Sequence, residues 1–476
     1  MYIKLHFILL IFYSFFVNAQ ANVKNEILSD LKKGYLSSCQ VGLSVFEDGK
    51  EILGYNSGKN FIPASVLKLF YTLSSIESKG DKFKFSTKFF YTGKILFDGT
   101  LEGDILIFPS GDPTLGSKRF YEDGYKTIMN AIVKAIKKNK IRCIDGDIIL
   151  VMSYKSFPVN GSWTYEDIGN YYAGGAFPLN INDNEYTLTF ETGNKLNEKT
   201  RIIDINPKIY GLNIKNFVRT GIKESGDNAY IYNKPFDYNI IVKGTLPPGK
   251  DKFTIRGSIP NPPETFMYML GDYLENENIY YENLRIKEEV YSKKNYLFSI
   301  KSPPLLDIVK MCNDYSINMY SEALAKLNCS SENHPYDYLS EKEIQSFFKR
   351  YPVVNSNMQI VDGCGLSSNN LISPKAMNRF IYFMTQECGI KKVLDILPRA
   401  GIDGYAKNLF TLSDSIWLKS GSISGVLNYS GIVKNKKGKY LNFTIFTNNI
   451  KKDNVRGTKK QILKIIKTIK QLDKAG

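Results

Sequence analysis

This sequence predicts an α/β (α+β) fold carrying a β-rich insertion, on three observations. Strand-like stretches at 41–46 and 51–55 lead into helical text containing Ser65. Residues 173–258 hold short strand-like runs among many Asn, Gly and Lys. The chain closes on a strand, 440–447, followed by an amphipathic helix, 455–473. Mixed text of this kind, with strands and helices interleaved, excludes all-α and all-β architectures.

The elements follow in order. Residues 22–36 read as a short amphipathic helix, and 41–46 and 51–55 alternate around the turn Glu47-Asp48-Gly49-Lys50. Phe61-Ile62-Pro63-Ala64-Ser65 then opens a helix whose first turn contains Ser65, with Pro63 suited to a helix start. From 86 to 172, turn signals at Asp98-Gly99, Gly103-Asp104 and Gly111-Asp112-Pro113 punctuate short strands, and 121–139 reads as helix. Within 173–258 the strands are 186–190, 202–205 and 238–242. Helices are expected at 263–277, 304–326 and 373–386. The last helix, 455–473, is basic and is expected to pack on the sheet it follows, with a membrane-surface position as the rival.

At 476 residues the chain is long enough for two to four domains and a large core. Its 43% apolar and 23% charged residues are globular proportions and exclude disordered, collagen-like and polytopic membrane classes. Lys and Arg exceed Asp and Glu, 63 to 47, for a net charge of +16. That balance suits an anionic partner, but no nucleic-acid motif accompanies it and no nucleic acid is expected. Residues 5–17 are almost entirely apolar after a single Lys4, and Ala19-x-Ala21 follows. This is the pattern of a signal peptide spanning 1–21, too short to anchor as a membrane span and without a Cys for a lipid anchor. An exported chain of about 455 residues with no membrane anchor is expected.

Only His6 and His334 are present, and His6 lies within the signal segment. A Ser-His-Asp triad would depend on His334 alone, in a loop-like context, and multi-histidine zinc sites are excluded. The six cysteines show no C-x-x-C pairing, and no metal or cofactor is expected.

Without histidine a hydrolase needs another base, and a buried lysine held neutral can serve. Ser65-Val66-Leu67-Lys68 sets a hydroxyl and an amine three residues apart on one helix face. Ser29-x-x-Lys32 and Ser346-x-x-Lys349 match too and read as exposed helix positions. Ser316-Ile317-Asn318 and Lys419-Ser420-Gly421-Ser422 follow in the chain. S-x-x-K, S-x-N and K-[ST]-G in this order form the set used by serine acyl-transfer enzymes.

With these motifs the chain resembles the class C low-molecular-mass penicillin-binding proteins, the D-alanyl-D-alanine carboxypeptidase/endopeptidase family, over most of residues 40–450. Further matches are Gly111-Asp112-Pro113-Thr114-Leu115, Asp362-Gly363-Cys364-Gly365-Leu366-Ser367, the stretch Leu397–Gly404 and Phe446-Thr447-Asn448-Asn449. The long gap between Ser65 and Ser316 suits inserted domains and disfavours a compact β-lactamase.

The resemblance implies a penicillin-binding transpeptidase/β-lactamase-like domain, an antiparallel sheet flanked by helices, over 22–85 and 296–476. It implies inserted domain II at 86–172 and 259–295, and a nested β-rich domain III at 173–258. It further implies that Ser65 attacks the penultimate D-Ala carbonyl, Lys68 takes its proton and Ser316 relays one to the leaving amine. Asn318 would contact substrate or Lys68. Lys419, Ser420 and Ser422, around Gly421, would face the terminal carboxylate. Asp167, in Trp163-Thr164-Tyr165-Glu166-Asp167, would meet the amine of a diamino-acid side chain. The implied partners are peptidoglycan stem peptides and, as covalent inhibitors, β-lactams. Oligomeric state is left open. Two departures stand out: Cys364 replaces the family's Ser and is expected to be a small packed residue, and Ser368 stands where an Arg is frequent. The alternatives are a β-lactamase or esterase on the same serine, and a non-catalytic wall-binding scaffold.

Overall fold

The computed structural model describes residues 20–152, 159–289, 291–329, 341–351, 357–409 and 415–473. Most of the expected signal segment, and His334, lie outside them. The chain forms two compact units: the described parts of Met1–Gly80, Val309–Ile317 and Ser340–Gly476 make one, and those of Asp81–Ile308 and Asn318–Leu339 the other.

The first unit is built on a five-stranded antiparallel sheet in the order Ile416–Ile423, Val426–Lys434, Tyr440–Asn448, Gln40–Glu47, Lys50–Tyr55. Gln40–Glu47 is buried on both faces from Val41 onward, so the alternation of a half-exposed strand is absent. Helices on either side are the reason. On one side lies Pro374–Glu387, capped by the Ser373 hydroxyl; its Asn378 Nδ2 donates to Ser44 O (2.7 Å), and its Oδ1 accepts from Thr444 Oγ1 (2.7 Å). The helix Lys68–Lys79 packs on it through Phe70 and Phe380, whose ring centroids are 4.3 Å apart. On the other side Ile462, Ile465, Ile466 and Ile469 of Val455–Ile469 join Val41, Leu43 and Val45 in one core with Ile27 of the helix at 20–30 and Leu31 just after it. The apolar stripe of the last helix is thus committed to the core rather than to a lipid phase.

One departure bears on the site. The helical text 304–326 is two helices, Leu305–Tyr315 and Asn318–Cys329. The break falls at Ser316, whose φ of +55° is left-handed and incompatible with a continuing helix. Composition does not announce this break, since no Gly or Pro marks it.

The second unit holds a five-stranded mixed sheet, Leu284–Lys287, Ile148–Val151, Ile105–Phe108, Ser86–Tyr91, Asn295–Lys301, with the helices Tyr125–Lys138 and Pro262–Asn276 contributing to its core. The stretch 185–258 adds two three-stranded sheets, and a single apolar cluster runs from Ile105 and Met129 through Tyr186, Phe190 and Val242. We retain as a proposal the subdivision of this unit into an inserted domain and a nested one.

Asp112, in this unit, is fully buried. Its Oδ1 accepts from Thr114 N (2.8 Å) and Oγ1 (2.7 Å), while Oδ2 has no hydrogen-bond partner among the described residues. Burial raises its pKa to about 6, against the two bonds from Thr114. The folded state therefore binds this proton more tightly than the unfolded chain, and the associated stability is lost as pH rises through about 6. Asp112→Asn is expected to raise the melting temperature more at pH 8 than at pH 5, since the loss of stability spans the range from about 3.8 to about 6. An equal shift at both pH values in scanning calorimetry would contradict this assignment.

Candidate active site

In the first unit the nucleophile's turn is local. Ala64–Leu67 forms one 3₁₀ turn that runs into the helix Lys68–Lys79, so Ser65 and Lys68 share a face as their spacing predicts. Lys68 is completely buried; its Nζ donates to Ser65 Oγ (2.9 Å) and to the carbonyl of Cys364 (2.7 Å). That carbonyl is held in place by Asp362, whose carboxylate accepts from Gly365 N (2.7 Å), Ser367 N (2.7 Å) and Asn370 Nδ2 (2.9 Å). The Cys364 side chain is itself buried. Gly365 has φ +80°, and a Cβ there would lie 2.0 Å from Ala64 O, so the loop touches the nucleophile's turn backbone to backbone.

The edge strand Ile416–Ile423 passes the same turn. At Gly421 a Cβ would lie 2.8 Å from Pro63 O and Val66 N and 2.9 Å from Ser65 N. Lys419, only 1% exposed, donates from Nζ to Ser316 Oγ (2.9 Å) and to Ser420 O (2.8 Å). Burial first, and then the Lys68 charge, pulls the Lys419 pKa down to about 7. Ser420 is half-buried and Ser422 exposed. Asn313, which the sequence did not single out, donates to Thr72 Oγ1 (3.2 Å) and Ile396 O (3.2 Å), and Thr72 Oγ1 donates to Lys68 O (3.0 Å). The helix that delivers Ser316 is thereby tied to the one that carries Lys68. Ser65, Lys68, Ser316, Lys419, Ser420, Gly421 and Ser422 all belong to this unit. The competing Ser29/Lys32 and Ser346/Lys349 pairs are exposed as expected, the serines near helix ends and the lysines in the turns that follow.

Asn318 and Asp167 belong to the second unit. There they meet at one residue that sequence reasoning missed: Asn318 Nδ2 donates to Tyr172 O (2.8 Å), and Tyr172 Oη donates to Asp167 Oδ1 (3.0 Å). Asp167 Oδ2 also accepts from Thr164 Oγ1 (2.7 Å), in the short helix turn Tyr165–Ile168. Burial, and after it the Asp167 charge, raises the Tyr172 pKa, so this phenol stays a donor. A Tyr five residues from an Asp carries no sequence signal of its own.

A buried lysine hydrogen-bonded to a serine, with no histidine among the described residues, is the geometry of a lysine-dependent serine hydrolase. The model of the D-Ala-D-Ala carboxypeptidase 3 (S13) family matches residues 23–469. The chain belongs to that family. Its fold is accordingly that of the penicillin-binding proteins, and its class that of the serine peptidases. Among S13 relatives, the D-alanyl-D-alanine carboxypeptidase DacB of Haemophilus influenzae is 23% identical over 451 residues, 91% of this chain and 90% of the relative. The crystal structure of penicillin binding protein 4 (dacB) from the same organism superposes with a TM-score of 0.79 at 20% identity, covering 94% of this chain and 98% of that one. Bd3459, a predatory peptidoglycan endopeptidase from Bdellovibrio bacteriovorus, gives 0.51 at 14% identity, covering 90% and 92%. Among the described residues no helix is long and apolar enough to cross a membrane.

Proposed function

We propose that this chain is a serine DD-peptidase that cleaves after D-Ala in peptidoglycan stem peptides, through an acyl-enzyme on Ser65. The observation that carries the reading is the 2.9 Å hydrogen bond between Ser65 Oγ and the fully buried Lys68 Nζ. In its neutral form Lys68 accepts the Ser65 proton as Oγ attacks the penultimate D-Ala carbonyl, forming the C–O bond. The tetrahedral oxyanion takes hydrogen bonds from the backbone N–H groups of Ser65 and Ser422. Collapse breaks the C–N bond, and the leaving D-Ala amine receives a proton through Ser316, which Lys419 holds in place. Water then attacks the acyl ester with Lys68 as base and regenerates Ser65. Ser420, Ser422 and Lys419 face the terminal carboxylate, while Asn318 contacts the peptide and Asp167 meets a diamino-acid amine. Residues 1–21 direct export, and the enzyme works outside the cytoplasmic membrane. β-Lactams, which imitate the D-Ala-D-Ala carbonyl, acylate the same serine.

Two measurements test this. Release of D-Ala from a synthetic stem pentapeptide, beside cleavage of a cross-linked stem dimer, reads which bond after D-Ala is broken. Intact mass after benzylpenicillin is expected to show one long-lived adduct. Penicillin consumed with no adduct would favour a β-lactamase, and neither adduct nor turnover would favour a scaffold.

Lys419 sets the expected pH dependence. Burial, and after it the Lys68 charge, holds the Lys419 pKa down to about 7. As pH rises through about 7 Lys419 sheds a proton and becomes able to accept one through Ser316, so the acylation rate constant is expected to rise and then level off. A flat profile from pH 5.5 to 8.5 would contradict it.

A further inference from the structure

In the second unit one cavity carries charge that its own ion pairs do not use up. It has a volume of about 290 Å³, and Lys118, Arg119, Asp183, Glu185, Tyr186 and Arg256 are among its walls. None of the residues placed around Ser65 lines it. A space of that size suits a molecule of a few heavy atoms.

The strands Glu185–Glu191 and Phe253–Ser258 pair antiparallel, which sets Glu185 and Tyr186 close to Arg256. Arg256 Nη1 donates to Glu185 Oε2 (2.9 Å), and its guanidinium lies 3.6 Å from the centre of the Tyr171 ring, which fixes its plane. Arg119 Nε stands 3.4 Å from Asp183 Oδ2, a looser pair, while Tyr320 Oη donates to Asp183 Oδ1 (2.8 Å). Asp183 is the middle of three successive left-handed residues, Asn182, Asp183 and Asn184, with φ of +54°, +57° and +53°. Such backbone persists only where its surroundings hold it. Here Asn184 Nδ2 does so, donating to Gly175 O (3.1 Å) and Asn180 Oδ1 (2.8 Å).

Three cations thus face two acids. Lys118 is exposed and makes no ion pair among the described residues. Burial, against the Arg256 charge, raises the Glu185 pKa to about 7, and burial raises that of Asp183 too. A proton taken up by Glu185 deepens the positive surplus and frees Arg256 for another carboxylate.

A second observation points to a ligand. Tyr186 is fully buried, yet its hydroxyl has no hydrogen-bond partner among the described residues. The ring lies over Gly257, where a Cβ would come within 2.7 Å of Oη, so the residue opposite it on the next strand offers no side chain. Burial raises the phenol pKa and keeps this group a donor. An unused buried donor in the wall of a cationic cavity is costly unless an acceptor fills the space.

We propose that this cavity is a binding site for a small monocarboxylate, held by Lys118, Arg256 and the Tyr186 hydroxyl. One negative charge balances three cations against two acids, and a carboxylate matches the planar guanidinium. The site goes beyond the peptidase reading and does not rest on it.

The exported protein is titrated by calorimetry with acetate, inorganic phosphate and methylammonium at constant ionic strength, in a buffer without carboxylate or phosphate. The variant Lys118→Met/Tyr186→Phe is compared with Lys215→Met, which removes a charge from an exposed position elsewhere. The double variant should keep its melting temperature, since Lys118 is exposed and the Tyr186 hydroxyl bonds nothing. Acetate is expected to bind saturably, the double variant to weaken that binding at least about ten-fold, and the control to match wild type. Binding should tighten as pH falls from 8 to 6, because a bound carboxylate favours the protonated form of Glu185, which Arg256, Asp183 and Arg119 face. Benzylpenicillin acylation, read on the same samples, should be unchanged in the variant, so a failure of either reading shows separately. Four results would overturn the proposal: no saturable acetate binding, binding that survives in the double variant, an equal loss in the control, or a preference for phosphate or methylammonium.

Discussion

Ser65→Ala is expected to remove the benzylpenicillin adduct from the intact mass completely and to lower D-Ala release by at least about a thousand-fold. The size follows from chemistry: without the hydroxyl no acyl ester forms, and only binding and oxyanion stabilisation are left. The fold should hold, because Lys68 keeps its bond to Cys364 O and the turn Ala64–Leu67 is set by backbone packing. An adduct of the same mass on the Ala variant would place the nucleophile elsewhere and sink the mechanism.

The second large effect is expected at a residue with no reactive group. Gly421→Ala sets a methyl carbon 2.9 Å from Ser65 N and 2.8 Å from Pro63 O and Val66 N, contacts that backbone atoms cannot relieve by rotation. Either the edge strand or the 3₁₀ turn must move, and the N–H groups of Ser65 and Ser422, proposed above as the oxyanion donors, move apart. Losing such a donor costs about a hundred- to a thousand-fold in rate. Gly421→Val should be worse still, whereas Ser422→Ala keeps the backbone and should be milder. Acylation kinetics in stopped flow, beside the melting temperature, measure it. A Gly421→Ala enzyme within a few-fold of wild type would show that this close approach plays no part in catalysis.

How far the site was legible depended on sequence distance. Ser65 and Lys68 are three apart on one turn, so the pattern alone places amine on hydroxyl. The bond from Lys419 to Ser316 spans 103 residues, and only motif order hinted at it. The kink that presents Ser316 was hidden, because a left-handed serine between two good helical runs leaves no compositional mark. The partner of Lys68 was hidden more deeply: it is a main-chain carbonyl, so Cys364 drew attention for its thiol while its oxygen makes the contact. Asp362 is a similar case, a carboxylate spent on knotting a loop. The architecture was easier to read, since periodicity marks helices such as Pro374–Glu387 and Val455–Ile469. Alternation was less informative in the central strands, where helices on both faces bury every side chain from Val41 and from Leu441 onward.

The pairing of Gln40–Glu47 with Tyr440–Asn448 sets when activity first exists. The two strands are about 400 residues apart in the chain, so the sheet under Ser65 closes only after nearly all of the polypeptide has been made. Strands within Asp81–Ile308 pair among themselves and can close earlier. A chain cut short by a stalled ribosome or a protease before residue 416 carries Ser65 and Lys68 but neither Lys419 nor Gly421. Such a fragment lacks the edge strand that lines the nucleophile's turn and is expected to be inactive.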